Sequence, residues 1–300
     1  MEVMKIELNK AIEYIDKAQT KLSEWRSKVA LGNRYYNNED DIKRTGAAAI
    51  DAVNGYLQGI GQNPLRSADN RISTNWHEIL TVQKNAYVLT YPPVFTIGKD
   101  KELSEEVNDT LGDEYAKVLS RLGIYATNAG TAWLEYWVDS DGVFRMAVSV
   151  HEGNATDHIA GEVVFLHAFY NPMDIGKETI ALVRAYNLQN ADGNDVVHYE
   201  VWDQQEVVFV NGETMEEEPV IVGGREVTRM PNEFGEIPFI EFANNERKAS
   251  DLLKYKGLVD AYDKVVSGFI NDLDDIQEIV LVLKDLTGES EDSLWVPVRD

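Results

Sequence analysis

The chain has 300 residues, 44% hydrophobic and 27% charged, with a mass of 33.8 kDa. That composition supplies a sizeable core and excludes wholesale disorder. Acids outnumber bases 52 to 28, giving a net charge of −24 and a pI near 4.5. Together with the absence of any long Lys/Arg run, this argues against gripping nucleic acid or an anionic membrane by charge neutralisation. There is no cysteine, so disulfides, cysteine zinc sites and thiol catalysis are excluded, and a reducing compartment fits. The opening residues lack a basic region followed by an apolar core, so no signal peptide is expected. No apolar run nears the ~20 residues of a membrane span.

The first element reads as a helix. Leu8, Ile12, Ile15, Ala18, Leu22, Trp25 and Val29 recur at steps of three and four, and Gly32-Asn33 is expected to end it. A polar stretch follows, then small residues over 47–57 and a loop at Gly59-Ile60-Gly61. Helix resumes after Ser73 or Thr74 and stops at Pro92-Pro93. A third helical block covers 102–127, with a break expected at Gly112. The pattern then changes to strands. Residues 131–138 and 143–150 flank the turn Asp139-Ser140-Asp141-Gly142 and predict a hairpin. Further strands are expected at 163–169, 180–186, 196–203, 205–210 and 220–222. Ile237-Pro238-Phe239-Ile240 reads as an edge strand or connector.

The last major element is a helix after Asn244-Asn245. Ser250 is a plausible N-cap, and Asp251 suits the positive end of the dipole. From Asp251 to Asp285 the helical spacing continues without proline, a rod of roughly 52 Å at about 1.5 Å per residue. Gly257 and Gly268 cost about 1 kcal/mol each against alanine and suggest close approach of another helix or a bend. The fold class is α+β: helical regions around a β-rich insertion, plus one long helix.

Catalytic signatures are missing. Gly98-Lys99 is followed by Asp100 rather than Ser or Thr, so no phosphate-binding loop is formed. Neither G-x-S-x-G nor H-E-x-x-H occurs. His151 and His158, with Glu152 and Asp157, could meet as a metal site, but scattered surface histidines explain them better. Asp272, Asp274, Asp275 and Glu278 cluster on the long helix. A metal-dependent phosphodiesterase could use Asp274, Asp275 and Glu278, although a solvated helix face is the simpler reading. No metal and no cofactor is assigned.

Two stretches are more informative, positions 70–95 and 236–285. The first carries Arg71-Ile72, Asn75-Trp76, Gln83-Lys84, Tyr87 and Pro92-Pro93. The second carries Ile237-Pro238-Phe239-Ile240, Phe242 and Asn244-Asn245, then Leu252, Tyr255, Leu258-Val259-Asp260, Tyr262-Asp263-Lys264 and Ser267. In this order they resemble the portal proteins of tailed phages of the siphophage type. The hairpin with Trp133-Leu134-Glu135-Tyr136 adds to the resemblance, which spans roughly positions 5–288.

The resemblance implies a structural protein without enzymatic activity. It would form a ring, a dodecamer in the family, at one capsid vertex, with DNA entering and leaving through the channel. Residues 1–130 would be a helical wing region, 131–243 a β-rich wing region, 250–285 the stem helix and 286–300 the start of the clip. The family's chain continues through a second stem helix, a channel loop, a wing helix and a crown, which are not among these 300 residues. Implied partners are copies of itself, the terminase motor, the head–tail adaptor, scaffold and major capsid protein, and double-stranded DNA read without sequence specificity; no membrane is involved. Implied locations are the virion, and the host cytoplasm during assembly. On the stem helix, Tyr255, Leu258, Tyr262, Val265, Phe269 and Leu273 are expected to pack within or between subunits. Lys256, Asp263, Lys264 and Asn271 are polar candidates for facing the channel, with Lys254 a further one on either the channel or the outer side.

Overall fold

A computed structural model describes residues 6–44, 68–139, 141–149, 162–173, 178–189, 193–222 and 224–277. It is a mixed α+β chain that divides into two units: Met1–Asn33 with Thr81–Asp251, and Arg34–Leu80 with Leu252–Asp300.

In the first unit, α1 (Leu8–Tyr36), for the part up to Asn33, lies on a five-stranded antiparallel sheet. That sheet has the order β3 (Glu162–Tyr170), β4 (Thr179–Gln189), β5 (Asp195–Trp202), β6 (Glu206–Asn211), β9 (Arg229–Pro231). Period-two alternation decides what each face buries. Val183, Ala185, Tyr199, Val201, Val208 and Val210 pack with Ala11, Ile15 and Ala18 of α1. The opposite parity, Leu182, Trp202, Val207 and Phe209, packs with Trp133, Ile237 and Phe239.

Those last residues introduce a second sheet, with the order β10 (Phe239–Ala243), β1 (Thr131–Val138), β2 (Phe144–Ser149). Its other face buries Ala132 and Val148 against Leu122 and Ala126 of α5 (Tyr115–Ala129). The layers are therefore helix, sheet, sheet, helix. Where the sheets meet, Arg184 on β4 is buried between two carboxylates. Its Nε and Nη2 donate to Glu200 on β5 at 2.7 and 2.9 Å, and Nη1 donates to both oxygens of Glu135 on β1 at 2.9 Å. The remaining strands, β7 (Val220–Val222) and β8 (Arg225–Val227), pair with each other.

Several sequence expectations take a definite form. The break at Gly112, with φ at 67°, separates α4 (Lys101–Leu111) from α5. The hairpin turn is held by Asp139, whose Oδ1 accepts from the N–H groups of Asp141 and Val143. The Pro238 segment leads into an edge strand, β10, paired with β1. Gly32, by contrast, does not end α1, which continues to Tyr36. A Cβ there would fall 2.2 Å from the carbonyl oxygen of Asn128, so this glycine serves a close helix approach rather than a stop. Strands β8 and β9 were not anticipated; Arg225-Glu226-Val227 and Arg229-Met230-Pro231 lack the β-branched run that marked Val220-Ile221-Val222. His151, His158 and the 47–57 segment lie outside the described residues.

The second unit contains α2 (Asp41–Arg44), residues 68–80 with the first turn of α3 (Trp76–Leu89), and α6 (Leu252–Gln277). Asn38 and Asn75 adopt left-handed backbone, with φ of 60° and 52°, a conformation asparagine tolerates better than most residues. The expected helix over 278–285 and the clip segment 286–300 lie outside the described residues.

Candidate functional site

Helix α6 has two chemically different faces. One is tied turn by turn to the segment leading into α3. The Tyr255 hydroxyl meets His77 Nδ1 at 2.7 Å. Asp263 Oδ1 accepts from the Thr74 N–H at 3.1 Å and from the Thr74 hydroxyl at 2.6 Å. Ser267 Oγ accepts from the Ile72 N–H at 2.9 Å, and Asn271 Oδ1 from the Asn70 N–H at 2.6 Å. Residues 70–77 therefore run antiparallel to α6, and the N–H groups of Asn70, Ile72 and Thr74 are accepted by helix side chains spaced about one turn apart.

The same face carries an ion network. Lys256 Nζ lies 2.5 Å from Asp41 and 2.7 Å from Asp260, over the Tyr35 ring at 4.9 Å. Tyr35 is fully buried and donates its hydroxyl to Asp260 at 2.5 Å. Against the cost of desolvation, the bonds to Asp260 and Asp41 hold Lys256 well above the ordinary lysine range. Although desolvation opposes it, Lys256 and Arg34 bring Asp41 down to about 2. Asp40 behaves oppositely. Burial, a hydrogen bond to Asp263 and the charge of Asp263 push it up to about 7. Both Asp40 oxygens and Oδ2 of Asp263 are buried without a donor, so a proton on Asp40 is what lets the two carboxyl groups lie together.

The opposite face of α6 is apolar and open. Leu258, Val265 and Phe269 are 74%, 69% and 63% exposed, and Tyr262 and Leu273 extend the same stripe at helical spacing. Trp76 stands edge-on to Tyr262 with ring centroids 6.1 Å apart. Around Gly257 and Gly268 nothing lies within 4 Å of where a Cβ would stand.

The sequence-derived positions thus separate. Leu258, Tyr262, Val265, Phe269 and Leu273 share the open stripe, while Tyr255 is half-buried on the tied face. Of the polar candidates, Lys264 and Lys254 are exposed. Lys256 and Asn271 are half-buried and engaged, and Asp263 has no exposed surface. Tyr35, Asp40, Asp41, Asn70, Thr74 and His77 were not expected as partners of this helix. Arg71-Ile72 and Asn75-Trp76, already conspicuous in the sequence, mark the segment that contains three of them. Asp274 accepts from the Asn70 side chain at 2.5 Å, while the Asp275 side chain and Glu278 lie outside the described residues. Among the described residues no three His, Asp or Glu side chains form a metal-holding group, and no helix is long and apolar enough to cross a membrane.

Residues 15–294 match the family model described as "Phage portal protein, SPP1 Gp6-like". The chain is 34% identical over 296 residues to the portal protein of Clostridium phage phiCD119, covering 95% of this chain and 60% of that protein. It is 29% identical over 275 residues to the portal protein of Bacillus phage SPP1, covering 89% of this chain and 51% of that protein. The chain thus spans between half and two-thirds of the length of these relatives.

Proposed function

Because the chain belongs to the SPP1 Gp6-like family of phage portal proteins, we propose that it is a ring-forming conduit for DNA packaging and ejection at a capsid vertex. In this reading it is a structural component of the virion with no catalysis of its own. It assembles with copies of itself into a ring, taken as dodecameric, and α6 is the stem helix. The terminase motor, head–tail adaptor, scaffold and major capsid protein are its partners, and double-stranded DNA passes without sequence-specific contact.

The observation that carries the proposal is the open stripe of α6. A helix whose polar side is consumed by its own chain, while Leu258, Val265 and Phe269 stand in solvent, is arranged for a neighbour. Burying each such side chain contributes about 1.5–3 kcal/mol. In a ring, heterologous contacts repeat around the axis, so one stripe per subunit serves every interface. Gly257 and Gly268 leave room for a backbone to come close. Lys264 is the polar position best placed to face the channel, since Asp263 is occupied by Thr74. The net charge of −24 suits a conduit through which phosphates must slide.

The test is the mass of the purified chain over a concentration series, with negative-stain imaging. Concentration-dependent association into annular particles, lost in Phe269→Asp, supports the proposal. Association that persists in both Val265→Asp and Phe269→Asp refutes the role given to the stripe.

A further inference from the structure

A cleft of about 440 Å³ lies in the first unit where β1 meets the five-stranded sheet, a volume within the range of small-ligand and side-chain sites. Trp137, Trp202 and Phe234 contribute aromatic walls, and Glu135, Arg184 and Glu200 reach its lining. The charges there do not balance: two carboxylates share one guanidinium. Arg184 commits two nitrogens to Glu200 and one, Nη1, to Glu135. Glu135 is the weakly compensated member. Burial drives its carboxyl above the usual carboxylate range, and the charge of Glu200 pushes the same way against Arg184. Of its lining residues Val138 and Phe234 are 47% and 41% exposed, and Glu233 is a further acidic residue of the lining.

We propose that this cleft receives an arginine or lysine side chain from a partner polypeptide, with the alkyl stem against the aromatic walls and the cationic head directed to Glu135. The chemistry is complementary in both respects. Aromatic faces attract a cation, and a buried carboxylate with spare lone pairs accepts charge-assisted hydrogen bonds. An open mouth lets the partner's backbone stay outside while one side chain enters. The net charge of −24 further favours a basic partner. The inference rests on the first unit alone and does not depend on ring formation.

The experiment titrates the whole chain with a short capped peptide bearing one arginine, following tryptophan fluorescence and calorimetry. The same peptide with citrulline, which keeps the shape and loses the charge, should bind at least roughly tenfold more weakly. Phe234→Ala, at the exposed rim, should weaken binding by roughly threefold to tenfold. Glu135→Gln should remove the preference for arginine over citrulline; if that variant does not fold, Glu233→Gln and Phe234→Ala carry the test. Glu135 faces Arg184 from β4, Glu200 from β5 and Ser149 from β2. Equal binding of the citrulline peptide, no saturable binding of the arginine peptide, or an unaffected Phe234→Ala variant would overturn the proposal. Free argininamide binding as tightly as the peptide would also overturn it, by showing a site for small amines.

Discussion

Thr74 gives both of its donors, the backbone N–H and the side-chain hydroxyl, to a single oxygen of Asp263. The other oxygen of that carboxyl is buried and turned to no donor, and the Asp40 carboxyl is held up to about 7 chiefly by burial, with Asp263 beside it as a further cause. One helix residue thus anchors the segment before α3.

The anchoring of residues 70–77 should be readable one amide at a time. The N–H groups of Asn70, Ile72 and Thr74 are each held by a different α6 side chain. Ser267→Ala should speed exchange at the Ile72 amide by roughly fivefold to tenfold, the equivalent of about 1–1.5 kcal/mol, with smaller changes at its neighbours. Uniform loosening of the whole segment would mean that these bonds open as one unit.

Stability of the second unit should fall as pH rises towards neutrality. The folded-state pKa of Asp40 is raised from 3.8 to about 7, so between these values the folded chain binds more protons than the unfolded one. The favourable contribution is full below the unfolded value and is lost as pH climbs through about 7, by on the order of 1–3 kcal/mol. Asp40→Asn keeps a donor towards Asp263 and should flatten this profile. Hydrogen exchange of residues 70–77 between pH 5 and 8 provides the measurement, and an unchanged slope in the variant would exclude Asp40 as its source.

Charge placed on the open stripe should affect association and leave the monomer intact. Val265 and Phe269 are both mostly exposed, so Val265→Asp and Phe269→Asp should change monomer stability by less than about 0.5 kcal/mol. The same changes should weaken self-association at least roughly tenfold, since each interface would bury an unpaired carboxylate. Circular dichroism melts and sedimentation of the two variants separate these effects.

Glycines in two helices should respond with opposite signs. Gly32→Ala places a Cβ 2.2 Å from the Asn128 carbonyl oxygen and should destabilise by about 1–3 kcal/mol, outweighing a propensity gain of about 1 kcal/mol. Gly268→Ala meets nothing within 4 Å and should stabilise the monomer by up to about 1 kcal/mol. Any loss of association in the second variant would indicate close helix approach at that position.

Breaking the buried join between the sheets should be severe. Arg184→Met leaves Glu135 and Glu200 buried without their cation, at a cost of about 3–5 kcal/mol. Denaturant unfolding followed by tryptophan fluorescence should register it through Trp202, whose indole N–H donates to Glu200.

Much of this architecture was legible in the order of residues, because the signals that define it are local. The three- and four-residue steps of Leu8–Val29, the Asp139–Gly142 turn and the Pro238 edge strand each depend on near neighbours. The same holds for the helical spacing from Leu252 onwards, and the order of these segments carried the family resemblance. The direction in which α6 faces was a different matter. By hydropathy Asp263 belongs in solvent and Phe269 in the core, yet Asp263 is buried and Phe269 is open. The groups that reverse the assignment, Asp40 and Thr74, lie about 190–220 positions away along the chain. The charged trio of Glu135, Arg184 and Glu200 likewise has no signature in sequence. Strand pairing sets Arg184 opposite Glu200, and sheet packing brings in Glu135. Periodicity fixes what an element is, whereas the side it presents depends on which distant donors and charges the fold sets against it.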